Sequence, residues 1–264
     1  MENLIKEKHI SQFYSNCDGI KLTDNLFVKD LHLINCHNIV LPYNLHVFGK
    51  LTIEKCNNIT FNGSTQIDSD FILKDCKSIN IPLAIKFNGS IKFDHVTFNT
   101  LNLPLLVKGD LHIKHTNISS LPDNLTVNGN LKIEKSPIKE LPINLKVYHS
   151  VLIQDTNINK IKDGLICENI ILPNNVVSFP NNYIVTNEIS GNYKTLDKLD
   201  FKKQPCNHIA IADNGFYEHH IYEGYRTNIC MGLPILIELK KTHKWKMYDK
   251  EYIYVDDNII EISN

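Results

Sequence analysis

The sequence predicts a mostly β fold: a right-handed parallel β-solenoid of about eight to nine 20-residue coils, followed by a small antiparallel β domain. Three observations predict it. The unit LPYNLHVFGKLTIEKCNNIT at residues 41–60 returns in phase at residues 61, 81, 101, 121 and 141; LPDNLTVNGNLKIEKSPIKE followed by LPINLKVYHSVLIQDTNINK is the clearest pair. Within each unit the apolar residues stand two apart in short runs, the spacing of a strand with one buried side. Gly, Asn and Pro interrupt those runs too regularly for helices. A fixed period of this size means that one coil cannot bury its apolar side alone and must stack on the next.

Residues 1–20 read as an N-terminal cap, in which Leu4, Ile5, Ile10 and Phe13 would let a short helix cover the open end of the stack. The solenoid spans residues 21–191 and opens on a shortened unit, LTDNLFVKDLHLINCHNIV at residues 22–40. With Leu41 as position 1, position 5 is Leu45, Thr65, Ile85, Leu105, Leu125, Leu145 and Leu165. Position 7 is Val47, Ile67, Phe87, Val107, Val127, Val147 and Cys167. These two positions share one side of a strand and are expected inside. Positions 11 and 13, from Leu51 and Ile53 to Val151 and Ile153, repeat that logic. Between the strands, position 9 is Gly49, Gly89, Gly109 and Gly129, which suggests a tight corner with positive φ. Ser69 and His149 hold the same slot, so the corner does not demand glycine. A third apolar position is Ile39, Ile59 and Ile79, then falls one place earlier at Ile118, Ile138 and Ile158, so the corner slips near Phe98. A unit at 161–178 and the partial unit FPNNYIVTNEISG at 179–191 end the series.

Equal positions in successive coils should stack into columns. Position 14 runs Glu54, Lys74, Asp94, Lys114, Glu134, Gln154, and position 15 runs Lys55, Asp75, His95, His115, Lys135, Asp155. Alternating charge of this kind sets coil register, each unlike pair contributing roughly 0.2–1 kcal/mol. Position 16 runs Cys36, Cys56, Cys76, Val96, Thr116, Ser136, Thr156. Three stacked thiols invite a metal reading, but the continuation by Val, Thr and Ser shows a slot that selects small size, so the thiols are read as packing. Positions 6 and 8 form the remaining exposed face. Phe48, Leu106 and Tyr148 break its polarity, which makes them the candidate partner-binding residues of the solenoid.

Residues 192–264 break the period and read as a C-terminal β domain. HIAIA, Asp213-Asn214-Gly215 and FYEHHIYE form a hairpin pattern, and LPILIELK, KWKMY, EYIYV and IIEI read as further strands. This segment concentrates His208, His219, Tyr222, Glu223, Tyr225, Arg226 and Trp245. Tyr, Trp and Arg are enriched at interfaces, so His219, Tyr222, Glu223, Tyr225, Arg226 and Trp245 are taken as the second set of partner-binding candidates.

The LPxNLxVxGxLxI unit, over residues 22–191, resembles the leucine-rich-repeat-like units of many bacterial and bacteriophage proteins. The resemblance implies a solenoid scaffold, and by analogy an inhibitor or adaptor that contacts a cellular protein, such as a bacterial defence factor. The period is also similar to that of secreted bacterial ubiquitin-ligase effectors. The chain lacks their second Leu-rich strand pattern and a large helical catalytic domain, so ligase activity is not carried over.

The net charge of −1 over 264 residues gives no field to hold a polyanion, which argues against nucleic acid as partner. No apolar run reads as a signal peptide or a membrane span, and the odd count of seven cysteines argues against a disulfide framework; the expectation is a cytoplasmic protein of the producing or infected cell. No H-E-x-x-H, G-x-S-x-G, P-loop or Rossmann pattern is present. The sequence therefore favours a non-enzymatic protein-binding scaffold with no cofactor, catalytic set or metal set. A structural or virion component built by self-association is one alternative. A small hydrolase or nuclease centred on His208, His219 and Glu223 is the other.

Overall fold

The computed structural model describes residues 10–81, 85–175, 177–180 and 182–191 in full. Beyond them it describes only the backbone of five strands, His208–Asp213, Phe216–Ile221, Trp245–Met247, Lys250–Val255 and Asn258–Ile262.

The chain is a parallel β-solenoid of about nine turns at a 20-residue spacing, as the repeat demands. Its longest sheet joins Gln12–Ser15, Leu31–Ile34, Leu51–Glu54, Phe71–Ile81, Ile91–Leu101, Leu111–Thr116, Leu131–Glu134 and Ser150–Leu152 in chain order, all parallel. Leu31 pairs with Leu51, Leu51 with Phe71, Ile91 with Leu111 and Leu111 with Leu131, each step being 20 residues. The side chains of Leu31–Ile34, Leu51–Glu54 and Leu131–Glu134 alternate between buried and half-buried, whereas none of Gln12–Ser15 at the first turn is buried. Leu31, Leu51, Phe71, Ile91, Leu111, Leu131 and Val151 are all fully inaccessible and make one continuous interior row.

Short strands at positions 5–7 form the facing side. Phe27–Val28, Leu45–Val47, Thr65–Ile67 and Ile85–Phe87 make a four-stranded parallel sheet. Leu106–Val107 starts a separate run with Thr126–Val127 and Lys146–Val147. Phenylalanine fills the middle of the core: Phe71 stacks on Phe87 at 5.1 Å between centroids and meets Phe61 and Phe93 edge-on.

The corner slip is present. Phe98 pairs with Ile79, with register shifts on both sides of it, and among the described residues beyond it the third strand survives only as the short pair Glu140–Leu141 and Lys160–Ile161. The same coil carries a departure from the predicted core: Leu105, expected inside at position 5, is 57 % exposed, while Leu103 packs partly against the core. Moving the apolar anchor one residue earlier, to Phe98, leaves an irregular approach to position 5, where Leu103 rather than Leu105 packs partly against the core.

The glycines at position 9 also differ from expectation. Gly49, Gly89, Gly109 and Gly129 are not among the positive-φ residues. They are small because the neighbouring coil comes too close: a Cβ on Gly89 would lie 2.4 Å from the Ser69 carbonyl carbon and oxygen. Positive φ falls instead on position 4 (Asn25, Asn44, Asn124, Asn144, with Gly164 at +83°) and on position 15 (Lys55, Asp75, His95, His115, Lys135). Among the described residues, asparagine supplies eight of the fourteen non-glycine residues with positive φ, in line with its tolerance of that conformation. The same side chains tie coil to coil, the Asn44 amide donating to Asn25 Oδ1 at 2.9 Å and that of Asn58 to Asn38 Oδ1 at 2.8 Å.

Past the last full coil, Tyr183–Gly191 pairs in parallel with Leu165–Ile171, and His208–Asp213 pairs in parallel with Tyr183–Gly191, Glu188 opposite His208. Phe216–Ile221 returns antiparallel to His208–Asp213, the hairpin expected from Asp213-Asn214-Gly215. Trp245–Met247, Lys250–Val255 and Asn258–Ile262 form an antiparallel sheet of their own.

Candidate partner-binding surface

The short-strand face divides into two chemically distinct halves. In the first, position 6 and position 8 side chains satisfy one another. Asp68 Oδ2 lies 2.7 Å from His46 Nε2, and its Oδ1 accepts from the side-chain amides of Gln66 (2.7 Å) and Asn88 (2.9 Å). Burial alone would raise the Asp68 carboxyl, but the hydrogen bonds from Gln66, His46 and Asn88 outweigh it and hold its pKa below the ordinary carboxylate value. Lys108 Nζ continues the network to Asn88 Oδ1 at 2.8 Å. Phe48 lies against the His46 ring at 4.0 Å between centroids and is half-buried, so this predicted contact residue is partly used within the coil stack.

The second half is apolar and open. The register Leu106–Thr126–Lys146–Ile166–Ile184 runs strand to strand along one row. Leu106, Ile166 and Ile184 are exposed in that row, and Tyr148 beside it is 66 % exposed. Leu105 adds a further apolar side chain at its upper end. A shallow depression of about 340 Å³ lined by Asn124, Thr126, Asn144, Lys146, Ile166 and Ile184 runs along this row. Of the solenoid candidates, Leu106 and Tyr148 thus stand exposed on one face, while Phe48 belongs to the polar half. Sequence reasoning missed Ile166 and Ile184. Ile166 occupies position 6 of its coil and was readable by simple continuation of the column; Ile184 sits in the partial unit, where the numbering drifts.

Among the C-terminal candidates, His219 lies on Phe216–Ile221 opposite Ala210, and Trp245 opens Trp245–Met247 opposite Tyr252. Tyr222, Glu223, Tyr225 and Arg226 lie outside the described residues.

The long-strand face is largely self-compensated, as its alternating columns suggest. Lys74 reaches Glu54 at 3.7 Å, and Glu134 is held by Lys132 at 3.1 Å, His112 at 3.1 Å and Lys114 at 4.0 Å. Within it, Asp94, His95 and His115 each place one ligand atom within 4.8 Å of the other two. The His115 pKa is lowered, first by desolvation and then by the neighbouring His95, Lys135 and Lys114. Inside the stack, Cys36, Cys56 and Cys76 are buried free thiols. They donate to backbone carbonyls, Cys56 to Glu54 and Cys76 to Lys74, both at 3.1 Å, which is a packing role. Burial pushes the Cys167 thiol up to about 12.

No protein-family model matches the chain, and neither a curated protein nor a solved structure matches it. Among the described residues, no helix is long and apolar enough to cross a membrane.

Proposed function

We propose that this protein is a non-enzymatic scaffold that binds a protein partner along the second half of its short-strand face. The observation that carries this reading is the in-register row in which Leu106, Ile166 and Ile184 stand exposed beside Tyr148, while the first half of the same face is occupied by its own hydrogen bonds. An extended row of apolar side chains with a Lys and a Thr between them offers the aromatic and aliphatic anchors typical of a binding hot spot. A stacked scaffold suits the task because its strands are positioned by the core and lose little freedom on binding. The hairpin of His208–Asp213 and Phe216–Ile221, which carries His219, continues the stack from Tyr183–Gly191 and would supply the second part of the contact, with Trp245 on its own antiparallel sheet as a further candidate.

The likeness of the repeat to bacterial and bacteriophage units supports an inhibitor or adaptor role against a cellular protein, and the buried free thiols fit a reducing cytoplasm. The test is affinity capture from the source organism with the full chain and with an Ile166→Thr, Ile184→Thr, Tyr148→Ser variant. Threonine keeps the β-branched strand preference, so the fold should persist. We expect the variant to lose at least about 90 % of the captured partner, as removal of central anchors does. Equal capture by both proteins would contradict this face as the site. Light scattering tests self-assembly: a monomer at all concentrations supports the scaffold reading, and an oligomer abolished by the same substitutions supports assembly instead.

A further inference from the structure

Position 15 of the long-strand face carries a feature that coil stacking does not explain. Its left-handed backbone is taken by Asn16 and Asn35 in the first coils and by Lys55 and Lys135 elsewhere, so the conformation does not require histidine. Yet two consecutive coils place His95 and His115 there, with φ of 55° and 48°. Their rings stack at 4.0 Å between centroids and 18° between planes. Asp94 Oδ1 lies 2.9 Å from His95 Nδ1. The Nδ1 of His115 is buried and has no hydrogen-bond partner among the described residues, an arrangement that costs free energy unless a ligand meets that atom.

We propose that Asp94, His95 and His115 form a surface site for one divalent transition-metal ion of the zinc, nickel and copper class, bridging two coils of the solenoid. Two imidazole nitrogens and one carboxylate oxygen are donors that such ions prefer, whereas calcium and magnesium favour all-oxygen shells. The ligand atoms lie within 4.8 Å of one another, and bonds of about 2.0–2.2 Å to one ion require the exposed His95 ring to swing out of its stack on His115, so that both in-plane nitrogen lone pairs meet the metal. The flanking charges are mixed. Asp75 holds the same place in the preceding coil, Lys135 in the following one, and Lys114 is drawn toward Glu134 at 4.0 Å. Three protein ligands leave a fourth position for water or for a side chain of a bound protein. The site lies on a different face from the apolar row and stands independently of it.

The test is calorimetric titration of the chelator-stripped full chain with zinc chloride and nickel chloride, with magnesium chloride as the comparison ion. The variants are His95→Asn with His115→Asn, and Asp94→Asn alone. Asparagine is the residue that this backbone accepts most readily, as at Asn35, so the double variant should keep its fold, which circular dichroism verifies. We expect one zinc ion per chain more in the wild type than in the double variant, a roughly ten-fold or greater loss of affinity in Asp94→Asn, and no comparable uptake of magnesium. Zinc should also raise the melting temperature of the wild type more than that of the double variant. Equal zinc stoichiometry and affinity in wild type and double variant, or no zinc uptake by the wild type, would overturn the site.

Discussion

At the scale of single residues, the repeat assigns equal roles to residues that the structure treats differently. Leu105 and Leu125 both stand at position 5, yet Leu105 is 57 % exposed and Leu125 is fully buried. Leu125→Ala should therefore destabilise the chain by about 2–5 kcal/mol, through lost burial and a residual cavity, whereas Leu105→Ala should cost less than about 0.5 kcal/mol. Denaturant unfolding of the two variants checks this; equal losses would place Leu105 back in the core. Charge can be argued the same way. Burial would raise the Glu134 carboxyl, but the hydrogen bonds from His112 and Lys132 outweigh it and hold its pKa below the ordinary 4.5. A lowered carboxylate pKa gives stability that is complete above the unfolded value and is lost as pH falls through the folded one. Glu134→Gln should thus lower stability at neutral pH and flatten the decline on acidification below about pH 4.5. A Glu134→Gln stability profile parallel to that of the wild type would refute the assignment.

At the scale of elements, what the sequence disclosed and what it hid divide along a physical line. The buried rows were legible because burial imposes a period on side-chain type: Leu51, Phe71, Ile91, Leu111 and Leu131 can be read off as a column. The Phe98 slip was legible for the same reason, as a one-residue change in the third apolar position. The purpose of the position 9 glycines was hidden, because the close approach comes from an atom 20 residues away and leaves no local mark. Gly89→Ala would bring a methyl group against the Ser69 backbone, and only movement of a neighbouring coil relieves it. This substitution should cost about 1–3 kcal/mol, more than the same change at the exposed turn residue Gly19, where nothing lies within 4 Å of the added carbon, although the positive φ of Gly19 makes alanine there strained as well. Thermal unfolding of the pair tests the ordering. The left-handed backbone at Lys55, His95, His115 and Lys135 was also hidden, since these residues do not announce it as asparagine does at Asn44 and Asn144. The His95–His115 column itself was visible in the sequence. Its alternation with Asp75 and Lys135 read as register-setting charge until the ring stacking and the unpartnered His115 Nδ1 set it apart.

At the scale of the whole molecule, one property governs the rest: coils 20 residues apart lie in parallel register, so that a residue's surroundings are set by its position in the unit. The polar and apolar halves of the short-strand face, the charge ladders and the two-coil histidine pair all depend on it. Electron–electron distance measurement between spin labels tests this directly. Labels introduced as encoded amino acids at Thr52 and Lys132 leave the native cysteines in place. Thr52, Ile72, Lys92, His112 and Lys132 are consecutive register partners, and Leu152 follows Lys132. At a strand spacing of about 4.8 Å, the account predicts a narrow separation near 19 Å for Thr52 with Lys132, growing by about 5 Å when the second label moves to Leu152. A broad distribution centred well beyond 30 Å, or no regular increment between the two pairs, would contradict it.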